Sequence, residues 1–341
     1  MKALLFEVLT SRGPLIPLLT LLLAGGVVFM ISARLARHAH AISEATGLGG
    51  LWIGSVLLAA ATSLPEILTD VTAALLDAPD IGVGDLFGST LANMLILAVL
   101  DLVFVSRRIL HSIGPEHARL GAVGILLTAM AGLAIVTGGW GRIGHVGIET
   151  LAIAAVYLGA MRRLYRSLPA APVLAARWPV NDRGRVRQPL VGFALGAVGL
   201  SIVTPALVLS AEAFAQESGV TQTFVGTLLV GLTTSFPEMA ATVSAARRGA
   251  LDLAVGNIFG SNAFNMAVLL VMDIVYVRGP ILAIVSRDHL LTVLVAVACL
   301  GLGVMAIASR DERRAPILRV ESLLIVAAYL GAAWMLHSLG R

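Results

Sequence analysis

The sequence predicts an all-α polytopic membrane protein whose ten transmembrane helices form two inverted five-helix repeats. Three observations carry this. The 341 residues are 58% hydrophobic and only 13% charged, with a mean hydropathy of +0.92, too apolar for a soluble domain of that length. Runs of about 20 apolar residues, long enough to cross roughly 30 Å of hydrocarbon, recur along the chain. And a polar string inside one such run, Thr-Ser-Leu-Pro-Glu at 62–66, returns as Thr-Ser-Phe-Pro-Glu at 234–238. The runs are continuously apolar, whereas transmembrane strands would alternate.

The spans are expected in order. The first, 15–36, is too long for a signal-peptide core, and its basic flank, Arg34 and Arg37, follows it. The second, 49–76, carries the Pro–Glu string, and the third, 82–105, is rich in glycine. Apolar runs at 116–138 and 146–163 complete a first unit, 1–163. A basic stretch, 164–188, links it to a second unit, 189–341, with spans at 189–212, 221–246, 254–277, 287–308 and 317–338.

Orientation follows from the basic residues. One set of alternate loops holds 18 of the 24 Lys and Arg, and the other holds 6. By the positive-inside rule the rich set, including 164–188, is cytoplasmic and both termini lie outside, most simply in the cell membrane. An odd number of spans per unit gives the two units opposite orientations.

The duplication itself is legible. Residues 54–101 align with 226–273 at a constant offset of 172 with 21 identities in 48 positions. The matches include Gly54/Gly226, Thr62/Thr234, Ser63/Ser235, Pro65/Pro237, Glu66/Glu238, Gly84/Gly256, Gly88/Gly260, Ser89/Ser261, Asn93/Asn265 and Asp101/Asp273. Apolar composition alone would not align such polar motifs in register.

The repeated residues suit cation binding. A proline within a span deprives a carbonyl one turn earlier, near Ala61 or Thr233, of its helical donor, and free backbone groups persist in a membrane only beside a polar cavity. Glu66 and Glu238 each cost at least about 2.5–3.5 kcal/mol if ionised at the bilayer centre. No Lys or Arg lies nearby in either span, so a bound cation or protons must offset the charge. Two carboxylates with hydroxyl, carbonyl and amide oxygens form a hard-oxygen site suited to Ca2+, which takes about six to eight such ligands, or to Na+. Ser89 and Asn93, like Ser261 and Asn265, are four apart and share a helix face. Asp85 extends the first face by a turn, where the second half has Asn257. Gly-x-x-x-Gly at 84–88 and 256–260 lets helices approach closely. Asp70, one turn past Glu66, reads equally as an ion-access residue or as having no such role, since its counterpart is Thr242. Asp101 and Asp273, near span ends, are expected to pair in solvent with Arg107, Arg108 and Arg278.

Other classes are disfavoured. The single cysteine, Cys299, excludes an intrachain disulfide framework. No nucleic-acid motif is present, no His-Glu-x-x-His signals a membrane metalloenzyme, and nothing suggests an enzyme, a resident cofactor or an obligatory protein partner beyond the lipid bilayer. An ion channel would also place polar residues in its spans.

The strings Gly-Ser-x-x-x-Ala-Ala-Ala-Thr-Ser-Leu-Pro-Glu with Gly-Asp-Leu-Phe-Gly-Ser-Thr-Leu-Ala-Asn, and Gly-Thr-x-x-x-Gly-Leu-Thr-Thr-Ser-Phe-Pro-Glu with Gly-Asn-Ile-Phe-Gly-Ser-Asn-Ala-Phe-Asn, resemble the paired alpha-repeats of the sodium/calcium exchanger family. Here these repeats span about 49–105 and 221–277. The resemblance implies secondary antiport of Ca2+ against Na+, or against H+, by alternating access. It implies four cation positions between the second, third, seventh and eighth helices, with the first and sixth helices sliding across that core. Carried over by position, Glu66 and Glu238 are the shared carboxylates, Thr62, Ser63, Thr234 and Ser235 give backbone or hydroxyl oxygens, and Ser89, Ser261, Asn93 and Asn265 complete the sites. The chain departs from the family in four places. Asn93 and Asn265 are both amides where many exchangers have one aspartate, Asp85 replaces the usual Asn, and Ala61 and Thr233 replace the usual Gly before Thr-Ser. Asp85 then either restores an acid at one end of the site or faces water.

Overall fold

In the computed structural model, residues 2–10, 13–45, 62–104, 109–110, 113–167, 183–309 and 319–339 are described, and nearly all are helical. The helices are α1 (Lys2–Thr10), α2 (Leu15–Ala45), α3 (Leu64–Leu75), α4 (Pro79–Val103), α5 (Pro115–Thr137), α6 (Ile148–Ser167), α7 (Arg183–Ser218), α8 (Gln222–Thr234), α9 (Phe236–Arg247), α10 (Leu251–Val275), α11 (Ile281–Ile284), α12 (His289–Ala308) and α13 (Val320–Leu339). A two-residue antiparallel ribbon, Arg142–Ile143 with Val146–Gly147, precedes α6. Neither α1 nor this ribbon is expected from the hydropathy pattern.

Seven of these helices are long and apolar enough to cross a membrane. An eighth span arises if α8 and α9, bent by 44° at the break before Phe236, are taken as one. Helix α6 lies over the expected span at 146–163 but is not among them. Of the expected span at 49–76 only the part from Thr62 is described, so Gly54 and Ala61 lie outside the described residues, as does most of the 164–188 linker.

The prolines explain where helices begin. Pro65, Pro79 and Pro237 all stand in the first two positions of a helix, where the N–H they lack has no intrahelical acceptor anyway. Each Thr-Ser-x-Pro-Glu string is therefore a helix end, a turn at the serine and a new start. Upstream of the second break, Val225–Val230 is wound as a π-helix, a wider coil that often marks functional segments.

The turns leading into α4 and α10 are built alike. Asp77 adopts φ 61° and Gly249 φ 77°, and the same two backbone bonds close each turn: Asp77 N to Ala74 O with Ala78 N to Ala73 O, and Gly249 N to Ala246 O with Ala250 N to Ala245 O. A left-handed residue suits glycine. At Asp77 the carboxylate holds the turn instead, pairing with Arg278 at 2.6 Å and accepting from Tyr276 Oη at 3.1 Å.

Helices α4 and α10 are the most enclosed of the long apolar ones. Helix α4 packs on α3, α8, α10, α12 and α13. Its closest approach is to α8, through glycine. A Cβ at Gly84 would lie 3.0 Å from Gly226 Cα, one at Gly231 would lie 2.8 Å from Ser89 N, and one at Gly88 would collide with the Thr227 backbone. Helices α2 and α7 run along each other at one flank, with Gly196 and Gly199 facing Leu35 and Ile31. Their far sides expose Leu19, Leu22, Leu23, Leu195 and Ile202, a face suited to lipid.

The two aspartates near the span ends depart from expectation. Asp273 is fully buried and accepts from Gly147 N at 2.7 Å, Ile281 N at 2.7 Å and Thr150 Oγ1 at 2.5 Å, while Arg278 pairs with Asp77. Asp101 is also buried and accepts from Ser322 Oγ at 2.8 Å and Leu110 N at 3.4 Å, with Arg319 3.8 Å away. Neither pairs in solvent. Each ties the loop that leaves its helix, because a buried backbone N–H needs an acceptor. Glu149 is likewise buried and holds Trp140 N at 3.0 Å.

Candidate functional site

The two breaks bring their polar residues into one buried cluster. Glu66 and Glu238 stand in the first turns of α3 and α9, where the helix dipole favours negative charge. Both are fully buried, as are Thr62, Ser63, Thr234, Ser235, Ser89, Ser261, Asn93 and Asn265.

The first break reaches the second directly. Ser63 Oγ donates to Glu238 Oε1 at 3.1 Å, and Thr62 also hydrogen bonds to Glu238. The reverse contact is not made. Thr234 Oγ1 donates instead to Asp85 Oδ1 at 2.7 Å, leaving Ser235 Oγ and both oxygens of Glu66 without a hydrogen bond from another residue. Asp85 also accepts a long bond from Ser89 Oγ at 3.4 Å, and Ser89 lies 3.2 Å from Thr234 Oγ1 and 3.3 Å from Gly231 O. Asp85 therefore faces the cluster and not water.

Between α4 and α10, Asn93 Nδ2 donates to Asn262 Oδ1 at 2.9 Å. Asn262 is a site neighbour that the sequence reading missed. It stands where the first half has Thr90, and the Gly-Ser-Asn in place of Gly-Ser-Thr was the available signal. Ser261 Oγ and both polar atoms of Asn265 have no partner. Thr233 turns away: its hydroxyl bonds Leu229 O at 2.6 Å, and its methyl group faces Gly25.

Four carboxylates, Glu66, Asp70, Asp85 and Glu238, act on one another electrostatically in this interior. Among the described residues no Lys or Arg pairs with any of them. Buried charge without a countercharge is costly. Unpartnered buried oxygens clustered around such charge are the donor set of a hard cation.

Known proteins share this chain's sequence pattern and its fold. The sequence pattern of the family described as sodium/calcium exchanger protein matches residues 16–161 and 188–337. The sodium/calcium exchanger MaX1 of Methanosarcina acetivorans is 28% identical over 287 residues, 73% of this chain and 81% of that protein. The structure of the H+/Ca2+ exchanger CAX superposes with a TM-score of 0.67 at 15% identity, covering 99% of this chain and 90% of that one. The sodium-calcium exchanger NCX_Mj superposes with a TM-score of 0.59 at 21% identity, covering 93% and 97%. At these identities the two superpositions establish a shared fold, that of polytopic membrane proteins.

Proposed function

Because the chain belongs to the sodium/calcium exchanger protein family, we propose that it is an antiporter exchanging Ca2+ for Na+ through one central site opened alternately to each side of the membrane. The observation that carries this is the pair Glu66 and Glu238: two buried carboxylates at helix breaks that Ser63 ties together by its bond to Glu238, with no basic partner among the described residues. In this reading Thr62, Ser63, Thr234, Ser235, Ser89, Ser261, Asn93 and Asn265 serve as the neutral oxygen donors, with the carbonyls near Ala61 and Thr233 as further candidates. Two carboxylates carry a charge that one Ca2+, two Na+ or two protons can each balance. Loaded forms are then similar in charge and can reorient. The empty, doubly negative form reorients poorly, and this couples the two fluxes.

The architecture we infer for this cycle has ten spans in two inverted halves, 1–163 and 189–341, joined by the cytoplasmic 164–188 segment. Both termini face outside, in the cell membrane. Helices α2 and α7 are the moving pair, because they lie on one flank and share a glycine-lined contact.

Exchange of Ca2+ for H+ is the second reading. It is favoured by Asn93 and Asn265, both amides where the resemblance leads one to expect an aspartate at one of them, so the acids beside the Glu66–Glu238 pair are Asp85 and Asp70 instead.

Imposing a Na+ gradient and a pH gradient separately on Ca2+-loaded vesicles decides the counter-ion. The gradient that drives Ca2+ flux names it. Antiport through this site is disproved by Ca2+ flux that persists unchanged in Glu66→Gln and Glu238→Gln, or that needs no counter-ion, as in a channel.

A further inference from the structure

The offset of 172 that relates the two halves also relates Asp70 to Thr242 and Asp85 to Asn257. In the second half this pair of positions closes with a neutral bond, Asn257 Nδ2 to Thr242 Oγ1 at 3.2 Å. In the first half the same two positions hold two acids. The fold does not require charge at this contact, since one half makes it without any.

The two acids meet because the helices approach closely there. Gly82 faces Asp70, so that a Cβ at Gly82 would lie 3.5 Å from Asp70 Cα, and Asp85 is one turn further along α4 on the same face. Both aspartates are fully buried. No donor group reaches either oxygen of Asp70 or Asp85 Oδ2; the contact Asp70 does make is carboxyl to carboxyl, with Asp85 at hydrogen-bond range, and the neighbouring Thr69 hydroxyl is unpartnered. Glu66, one turn before Asp70, is buried with both oxygens unpartnered, and its charge acts on both aspartates. Among the described residues no three of these carboxylates converge within 4.8 Å, so the ligand pair is Asp70 and Asp85, and Glu66 contributes through its field. Two facing buried carboxyls with a third nearby, and no basic residue against them among the described residues, can be neutralised by a shared proton or by a cation that replaces it. Bare carboxylate oxygens flanked by hydroxyls are what a hard cation takes in place of water.

We propose that Asp70 and Asp85 hold a second hard cation, Ca2+ or Na+, beside the one shared by Glu66 and Glu238. This rests on the exchanger reading above and extends it. The second ion lies toward the turn at 76–78, which is the outer side in the orientation proposed here. Its counterpart on the inner side is the neutral Thr242–Asn257 pair, so the two halves present unequal cation affinity to the two compartments. Total bound charge also exceeds what the Glu66–Glu238 pair alone can balance.

The test is ion stoichiometry in the purified full-length chain in nanodiscs, titrated with 45Ca2+ and separately with 22Na+, each in choline buffer. The wild-type chain should bind one equivalent more of Ca2+ or of Na+ than the double variant Asp70→Thr/Asp85→Asn, which installs the second-half residues. The ion that drops identifies the occupant. Glu238→Gln should remove the central equivalent and leave the Asp70–Asp85 one. Equal stoichiometry for both ions in wild type and double variant overturns the proposal; if Glu238→Gln still abolishes Ca2+ binding in that case, the exchanger reading survives without it. Should the double variant fail to fold, Asp85→Asn alone, which keeps the side-chain shape, is read by the same criterion.

Discussion

Ser63 Oγ lies 3.1 Å from Glu238 Oε1, a hydrogen bond between residues 175 positions apart that joins the break before α3 to the first turn of α9. It fixes one of the two central carboxylates by a residue of the other repeat. Its mirror image is absent: Ser235, the counterpart of Ser63, has an unpartnered hydroxyl, and Thr234, the counterpart of Thr62, donates to Asp85 at 2.7 Å. The central pair is therefore unequal: Glu238 is held by Ser63 and Thr62, and Glu66 is left bare.

Ser63→Ala is expected to raise the half-saturating Ca2+ concentration about 10-fold or more, the usual effect of losing a group that orients a metal-binding carboxylate. Thermal stability should change little. Ser235→Ala removes no hydrogen bond seen in this state, so it should act only by deleting a ligand. Vesicle uptake across a Ca2+ series separates these effects, and a Ser63→Ala transporter with unchanged half-saturation would contradict the orienting role.

The two asparagines should respond differently to an added charge. Asn265 has no partner for either polar atom, so Asn265→Asp adds a carboxylate without breaking a bond and should increase Ca2+ affinity. Asn93→Asp loses the donor to Asn262 Oδ1 and sets oxygen against oxygen, a cost of about 1–3 kcal/mol for an unsatisfied buried group. Binding and thermal unfolding measured together check both. Equal behaviour of the two variants would contradict the assignment.

Gly88→Ala should destabilise by about 1–3 kcal/mol through overpacking, because its Cβ would press on the Thr227 backbone. Gly26→Ala is the control, since a Cβ there meets nothing within 4 Å. Melting in detergent reads the difference, and equal melting temperatures would show that α4 and α8 can separate at no cost.

Asp273→Ala should leave Gly147 N, Ile281 N and the Thr150 hydroxyl without their acceptor, at roughly 1–3 kcal/mol for each group left unsatisfied. Expression and melting should fall, while Ca2+ transport per folded molecule stays at the wild-type level. Loss of transport in a fully stable variant would instead make Asp273 a transport residue.

Much of this was legible in the chain. Hydropathy marked the seven long apolar helices found among the described residues, because each forms one continuous apolar run. The Thr-Ser-x-Pro-Glu strings marked the breaks, because a proline's missing N–H acts on its own helix. Asp273 was misread for the opposite reason. Its nearest charge in sequence is Arg278, but its partners come from the 147–150 segment and from Ile281. Asn262 was passed over because its partner, Asn93, lies on another helix.

By itself, then, the sequence determined the helical membrane class, the duplicated motif and the residues able to carry charge, all of which depend on composition and short-range spacing. Only the tertiary structure decided how those residues pair. It gave Thr234 to Asp85, bound Ser63 to Glu238, and set Asp70 against Asp85 where the other half has a neutral bond. A buried polar atom bonds to whatever packing places within about 3 Å of it, and in this bundle that neighbour often lies on a helix more than a hundred residues away.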